Sequence, residues 1–355
     1  MKAVTKMKQN VKVSVIMSCL NTPANYLDLA IESLLTQTYQ NIEYIFVNNG
    51  GNNLEQLMKY KEKDKRIKII NNHETLELPE SLNLAIEHTT GKYIARMDSD
   101  DYSLPDRIEK QVVFMEKHHN IDVSSMYVKI FGVKDRYAVY PWCTSDEIKA
   151  SLFFSNEVYH PTVMFRKEFI INNHLKYRKG YNYSEDFDLW NRCCQYGNFT
   201  IIPEIGLCYR IHMSNTSTLG SETQGTSKEK VLGENLKRIS LGKQYLKYIK
   251  SLSPYDVSVS LAETKKFIEL VMKKNQEINY FNQKVLKKIL YKAFFMKILK
   301  QKKENLSVFE MVHVFINANL FLYYIKKITK TVHAHILFKK SCKNIPIKSR
   351  RLICN

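Results

Sequence analysis

The chain has seven cysteines in 355 residues but no C-x-x-C pair. The thiols (Cys19, Cys143, Cys193, Cys194, Cys208, Cys342 and Cys354) are scattered, which argues against a zinc site and a disulfide framework. Reduced thiols in the cytoplasm are the simplest reading. Long hydrophobic runs are also missing. The most apolar, "MVHVFINANLFLYYI" (311–325), has 15 residues and includes His and Asn. A spanning helix needs about 20, so no transmembrane segment is expected. After "MKAVTKMKQN" no apolar stretch of signal-peptide kind follows, and "VSVIMSCL" runs directly into ordinary domain sequence. No internal repeat and no nucleic-acid reader motif occur, so nucleic acid is not an expected partner despite the basic balance.

What is present is a chain with 44% hydrophobic residues, enough for a real core. The net charge of +19 is unevenly placed. Residues 221–355 hold 28 of the 54 basic and 9 of the 35 acidic residues, leaving 26 of each sign in 1–220. A neutral body and a basic tail imply two regions with different jobs.

The first hundred residues alternate in type. Strands are expected over 12–20, 42–47, 66–70 and 92–97, and helices over 25–38, 54–64 and 79–89. Such alternation implies a Rossmann-like, mostly parallel sheet flanked by helices, an α/β fold. Further on, helices are expected over 105–118, 145–154 and about 185–196, and strands over 123–132, 162–166 and 205–211. "SETQGTS" (221–227) reads as a linker, and the remainder as Lys-rich helices poor in glycine. Ligands bind at the carboxyl ends of parallel strands. There lie "NTPAN", "NNGGNN" and "DSDD".

The last of these sets Asp98, Asp100 and Asp101 within four positions. Such a cluster either binds a divalent cation, which relieves the repulsion, or is a solvated turn. Carboxylate oxygens favour Mg2+ or Mn2+ over zinc. A calcium EF-hand is excluded, because "DSDDYSLPDRIE" lacks the turn glycine. No G-x-G-x-R loop follows the first strand, which argues against a nucleotidyltransferase.

"VSVIMSCLN", "AIESLLTQTYQNIEYIFVNNGG", "ESLNLAIEHTTGKYIARMDSDDYSLPDRIEKQVVF", "HPTVMFRK" and "SEDFDLWNRC" occur in that order. Together they resemble the family-2 inverting glycosyltransferases of bacterial surface-polysaccharide (capsule and lipopolysaccharide) assembly, which have the GT-A fold. The resemblance covers about residues 11–217. It implies a catalytic domain over 1–220 and leaves 221–355 as a basic helical C-terminal region.

The resemblance gives the carboxylates roles. Asp100 becomes the principal ligand of Mn2+ or Mg2+, with Asp98 near the ribose and the metal, and His212 on metal or phosphate. Asp101 either supports the loop or caps the next helix. Arg96, Ser99 and Arg210 join the donor side, as do Ser18 and Asn21 after the first strand. Asp186, the Asp of the family's E-D motif, becomes the general base. Glu185, His160 and Trp190 fall on the acceptor side. Asp188 reads as a helix-surface charge.

The family usually has V-D-D-G-S after the second strand, where this chain has Val47, Asn48, Asn49, Gly50 and Gly51. An Asn amide still offers a donor and an acceptor to a uracil edge, and Asn also suits tight turns. Asn48 and Asn49 are therefore nucleobase candidates or turn residues. The implied function is metal-dependent transfer of a hexose or N-acetylhexosamine from a nucleotide sugar to a glycan or lipid-linked glycan. A non-catalytic nucleotide-sugar or polyanion binder is the alternative. The helix expected over 283–303 has apolar residues at helical spacing among lysines. It reads either as an interfacial helix on an anionic membrane surface or as a helix packed on the body. The first reading implies a peripheral place on the inner face of the cytoplasmic membrane, the second packing or a homo-oligomer.

Overall fold

The computed structural model describes residues 11–140, 143–212, 221–301 and 320–342, with a few isolated positions beyond. Strand β1 (Val13–Cys19) is buried at all but one position and β2 (Ile42–Asn49) at every position. Strands covered on both faces need such continuous apolar runs. Between them α1 (Ala24–Leu35) buries Leu27, Leu29, Ile31 and Leu34 along one side. Then follow α2 (Leu54–Lys63), β3 (Ile67–Asn72), α3 (Leu78–Glu87) and β4 (Tyr93–Asp98). The start of α3 is set by Pro79 and by Glu80, whose carboxylate accepts the Glu77 N–H.

β1 pairs in parallel with β2 on one side and β4 on the other, so Ser18 stands between Val47 and Asp98. The carboxyl ends thus meet at one edge, where the sequence loops were expected. Gly50 (φ +74°) turns the chain after β2. A Cβ there would lie 2.7 Å from the Thr75 nitrogen, so only glycine fits this close approach.

The second half comprises β5 (Tyr102–Ser103), α4 (Arg107–Lys117), β6 (Val123–Gly132), β7 (Arg136–Ala138), α5 (Ser145–Ser151), β8 (Met164–Arg166), α6 (Lys167–Asn172), α7 (Glu185–Tyr196) and β9 (Phe199–Ile211). The sheet order is β3-β2-β1-β4-β8-β6-β9-β5, with β7 hydrogen-bonded to β6. β8 runs antiparallel to β4 and β6, while β6 and β9 are parallel. The expected α/β sheet flanked by helices is present; its first four-strand half, β3-β2-β1-β4, is wholly parallel, and the second half is mixed. β5, β7 and α6, of two, three and six residues, were not among the expected elements.

The C-terminal region forms α8 (Ser221–Arg238), α9 (Leu246–Lys250), α10 (Leu261–Ile278), α11 (Gln283–Gln301) and α12 (Leu320–Cys342). The expected linker at 221–227 is corrected: it is the first part of α8. Its weak helix formers are held by tertiary contacts, with Ser227 buried and the Gln224 amide donating to the Tyr183 carbonyl at 3.2 Å. Of the two readings of the helix expected over 283–303, α11 matches packing on the body along its apolar face. Leu286, Ile289, Leu290 and Phe294 of α11 are buried and share one apolar cluster with Leu189 and Trp190. Lys288 and Lys292 reach Glu147 and Glu157 at 3.3 and 3.9 Å. Part of the apolar run 311–325 lies outside the described residues. Among the described residues no helix is long and apolar enough to cross a membrane.

Candidate active site

A cleft of about 770 Å³ opens at the carboxyl ends of the strands. One half is built on the turn after β4. Asp98, Asp100 and Asp101 bring carboxylate oxygens within 4.8 Å of one another. Asp98 and Asp100 line the cleft; Asp101 does not. Asp101 is fully buried and accepts the Arg210 N–H at 2.8 Å, and its second oxygen has no partner among the described residues. Burial and then the charges of Asp100 and Asp98 hold Asp101 well above the ordinary carboxylate range. Asp98 is raised too, chiefly by burial and further by Asp100, although Arg96 Nη2 lies 2.5 Å from its oxygen. His212 Nε2 reaches Asp100 Oδ2 at 3.0 Å from the end of β9.

This donor set fits a divalent cation. The carboxylates are hard oxygens, and their mutual repulsion is what a cation would relieve. Asp98 and Asp100 are the ones exposed to the cleft, with His212 beside them.

The other half is built on the N-terminus of α7. Asn156 donates its amide to Asp186 Oδ2 at 2.7 Å, and the Phe187 N–H donates to Oδ1 at 2.7 Å. Burial lifts Asp186 to about 6 even so. Glu185 is buried, with one oxygen unpartnered, and is lifted to about 8 by burial and by the Asp186 charge. Asp186 is therefore the first of the pair to ionise. Ser184 occupies the N-cap position, but its side chain makes no capping bond.

His160 lines the cleft with Nε2 2.7 Å from the Tyr177 hydroxyl. Burial, and then Arg96, push its basicity well down, so the imidazole is neutral. Arg96 is itself buried in a wall of the cleft, and its Nε and Nη1 have no partner among the described residues. Ser18, Asn21, Asn49 and Ser99 line the same wall. Thr22 and Ser99 share a hydroxyl hydrogen bond of 2.7 Å, which joins the loop after β1 to the acidic turn.

Four sequence expectations are corrected. Trp190 is fully buried against His160, Phe165 and Phe199, so it is core and does not line the acceptor side. Asn48 does not line the cleft; its amide donates to the Gly51 carbonyl and to Asn71. Arg210 does not line it either. Its Nε donates to the Asp100 carbonyl at 2.8 Å, and its guanidinium lies over the Tyr26 and Phe131 rings. Asp188 is not a surface charge: it is buried and paired with Arg178 and Arg192. Asn49 remains on the wall, but its amide is already engaged with Leu76 N–H and carbonyl and with Asn72.

Sequence reasoning missed Asn156, Tyr183, Gln224 and Lys228, all of which line the cleft. Asn156 carried no signal, because it stands in an irregular segment thirty positions before its partner Asp186. Gln224 was hidden by the linker reading and Lys228 stands directly after it, although their i, i+4 spacing would place them on one helix face.

The model of Glycosyl transferase family 2 matches residues 14–175. An uncharacterized glycosyltransferase of Haemophilus influenzae is 32% identical over 337 residues, covering 91% of this chain and 96% of that protein. The O-antigen biosynthesis glycosyltransferase WbnJ of Escherichia coli is 37% identical over 216 residues, covering 58% of this chain and 81% of WbnJ. The fold is similar to the crystal structure of S. aureus TarS 1-349 in complex with UDP-GlcNAc, with a TM-score of 0.56 at 13% identity over 83% of this chain and 93% of that one. With its GT-A sheet and its paired carboxylates, the chain belongs to glycosyltransferase family 2.

Proposed function

We propose that the protein transfers a sugar, with inversion and with help from a divalent metal, from a uridine diphosphate sugar to a hydroxyl of a growing bacterial surface glycan. The sugar would be a hexose or an N-acetylhexosamine. One observation carries the reading: a single cleft is lined both by Asp98 and Asp100 and by the base-ready Asp186. The WbnJ and TarS likenesses support an acceptor of the surface-glycan class and a uridine donor. In this reading residues 1–220 form the catalytic body, and 221–355 complete the cleft through Gln224 and Lys228. The basic surface of the second region would hold the enzyme on the inner face of the cytoplasmic membrane, beside a lipid-linked acceptor.

The chemistry follows from the geometry. The donor diphosphate belongs beside Asp98, Asp100 and His212, and these residues would hold Mn2+ or Mg2+. Such a cation supplies charge stabilisation to the departing diphosphate. Asp186 is ionised at neutral pH and accepts the proton of the acceptor hydroxyl. The hydroxyl oxygen bonds to the anomeric carbon as the bond to the diphosphate breaks, and the nucleoside diphosphate leaves. Glu185, still protonated at neutral pH, can donate a hydrogen bond to the acceptor. Neutral His160 and the buried Arg96 face the sugar between the two halves.

Incubating the purified protein with a panel of nucleotide-diphosphate sugars, with and without Mn2+, tests this reading. Release of nucleoside diphosphate from one donor in a metal-dependent way is the expected result. Binding without turnover of any donor would favour a non-catalytic binder.

A further inference from the structure

The segment 178–184 leads into the N-terminus of α7 and its Asp186. It is an unusual piece of chain. Gly180 and Tyr183 both have left-handed backbones, at φ +78° and +63°. A bulky aromatic residue seldom adopts this conformation unless its surroundings enforce it. Tyr183 and Ser184 line the cleft directly before Glu185 and Asp186.

Helix α8, from the C-terminal region, supplies the enforcement. Gln224 donates to the Tyr183 carbonyl at 3.2 Å, and Lys230 Nζ donates to the Gly180 carbonyl at 2.9 Å. Glu234 is the centre of the contact. It accepts the Tyr181 hydroxyl at 2.6 Å and two bonds from Arg178 Nη2 at 2.9 and 3.0 Å. Arg178 also lies 4.3 Å over the Tyr181 ring. The same guanidinium donates through Nε to the buried Asp188 at 3.0 Å, and Arg192 donates to Asp188 at 2.7 Å. Asp188 is two residues from Asp186 on the first turn of α7. A chain of charged hydrogen bonds therefore runs from α8 through Arg178 to the turn that carries the base. On the opposite side Asn83 of α3 holds the Tyr177 backbone, donating to its carbonyl at 2.8 Å and accepting its N–H at 3.0 Å.

We propose that Glu234 is a positioning residue for sugar transfer: through Arg178 and Tyr181 it fixes the strained segment 178–184 and thereby the aim of Asp186. The proposal rests on the reading of Asp186 as the general base. It gives the C-terminal region a role inside the reaction, since the residue that sets the base comes from beyond residue 220. Small errors in the placement of a reacting group can cost about 100-fold in rate. Glu234 does not line the cleft, so its loss leaves the donor wall unchanged.

The test uses the full chain with Glu234→Ala and Glu234→Gln, beside Asp186→Asn as control. Amide hydrogen exchange is read over Tyr183–Phe187, and kcat and donor affinity are read with the sugar nucleotide selected by the panel. Glu234→Ala is expected to speed exchange in that segment about tenfold or more by local opening. Its kcat should fall about 10- to 100-fold with donor affinity within about twofold. Glu234→Gln keeps the acceptor for Tyr181 and should recover most of both losses. Unchanged exchange in Glu234→Ala would overturn the proposal. So would a kcat that falls only with the fraction of protein still binding donor. If Asp186→Asn keeps transferring sugar, the base assignment has failed, whatever Glu234 does.

Discussion

His212 Nε2 stands 3.0 Å from Asp100 Oδ2, joining the end of β9 to the turn after β4 across the two strands, β8 and β6, that separate them in the sheet. The contact gathers the polar end of the cleft around Asp100. Asp100→Asn removes a charge that a cation needs and is expected to lower metal-dependent donor turnover by about 100-fold or more. His212→Ala should instead weaken the Mn2+ requirement curve about 10- to 100-fold and leave turnover at saturating Mn2+ largely intact. Titrations of turnover against Mn2+ check both. Unchanged turnover by Asp100→Asn at limiting Mn2+ contradicts the assignment.

The pH profile should report Asp186. Its carboxyl is lifted to about 6, and only the ionised form accepts a proton. The acid limb of kcat/KM is therefore expected near pH 6, with rate rising as pH rises through it. The Asn156 amide stabilises the ionised form, so Asn156→Ala should raise the Asp186 pKa and move the limb to higher pH. Loss of rate in Asn156→Ala should accordingly be larger at pH 6 than at pH 7.5. A limb that does not move would remove Asn156 from the site.

Trp190 offers a separate check. As a fully buried side chain it is expected to cost about 3–5 kcal/mol when truncated to alanine. Denaturant unfolding measures this. Trp190→Phe should fold and keep its KM for acceptor; a large rise in that KM would restore Trp190 to the acceptor side.

The basic region makes two demands. Phe294 and Leu286 of α11 lie in the same apolar cluster as Trp190, so removal of residues 221–355 should leave a protein that neither folds cooperatively nor turns over donor. The full chain should co-sediment with anionic vesicles and lose them as salt rises, because exposed charges are screened over about 8 Å at physiological ionic strength. Equal binding to neutral vesicles would contradict the electrostatic account.

Most of the first hundred residues was legible because β1, β2 and β4 carry largely apolar, buried runs and each helix between the strands has its own period. The acidic turn and the E-D pair were legible through ordered motifs. What stayed hidden depended on tertiary contact. Residues 221–227 look like a linker until Tyr183 and Gly180 accept bonds from α8. The apolar face of α11 looks free until α10 and α5 cover it. Asp188 looks solvated until Arg178 and Arg192 close over it. Asn48 and Asn49, expected either to face a nucleobase or to build the turn, have their side-chain amides engaged by Gly51, Asn71 and Leu76. Long-range polar pairs of this kind leave no period in a sequence.

In the proposed function the cleft separates donor binding at Asp98 and Asp100 from proton removal at Asp186. Calorimetric donor affinity in the presence of Mn2+, measured together with transfer rate for Asp186→Asn, tests it most directly. The account expects affinity within about twofold of the parent and transfer lowered by roughly 10²–10⁴-fold. A collapse of donor affinity, with residual rate that merely follows occupancy, would contradict it.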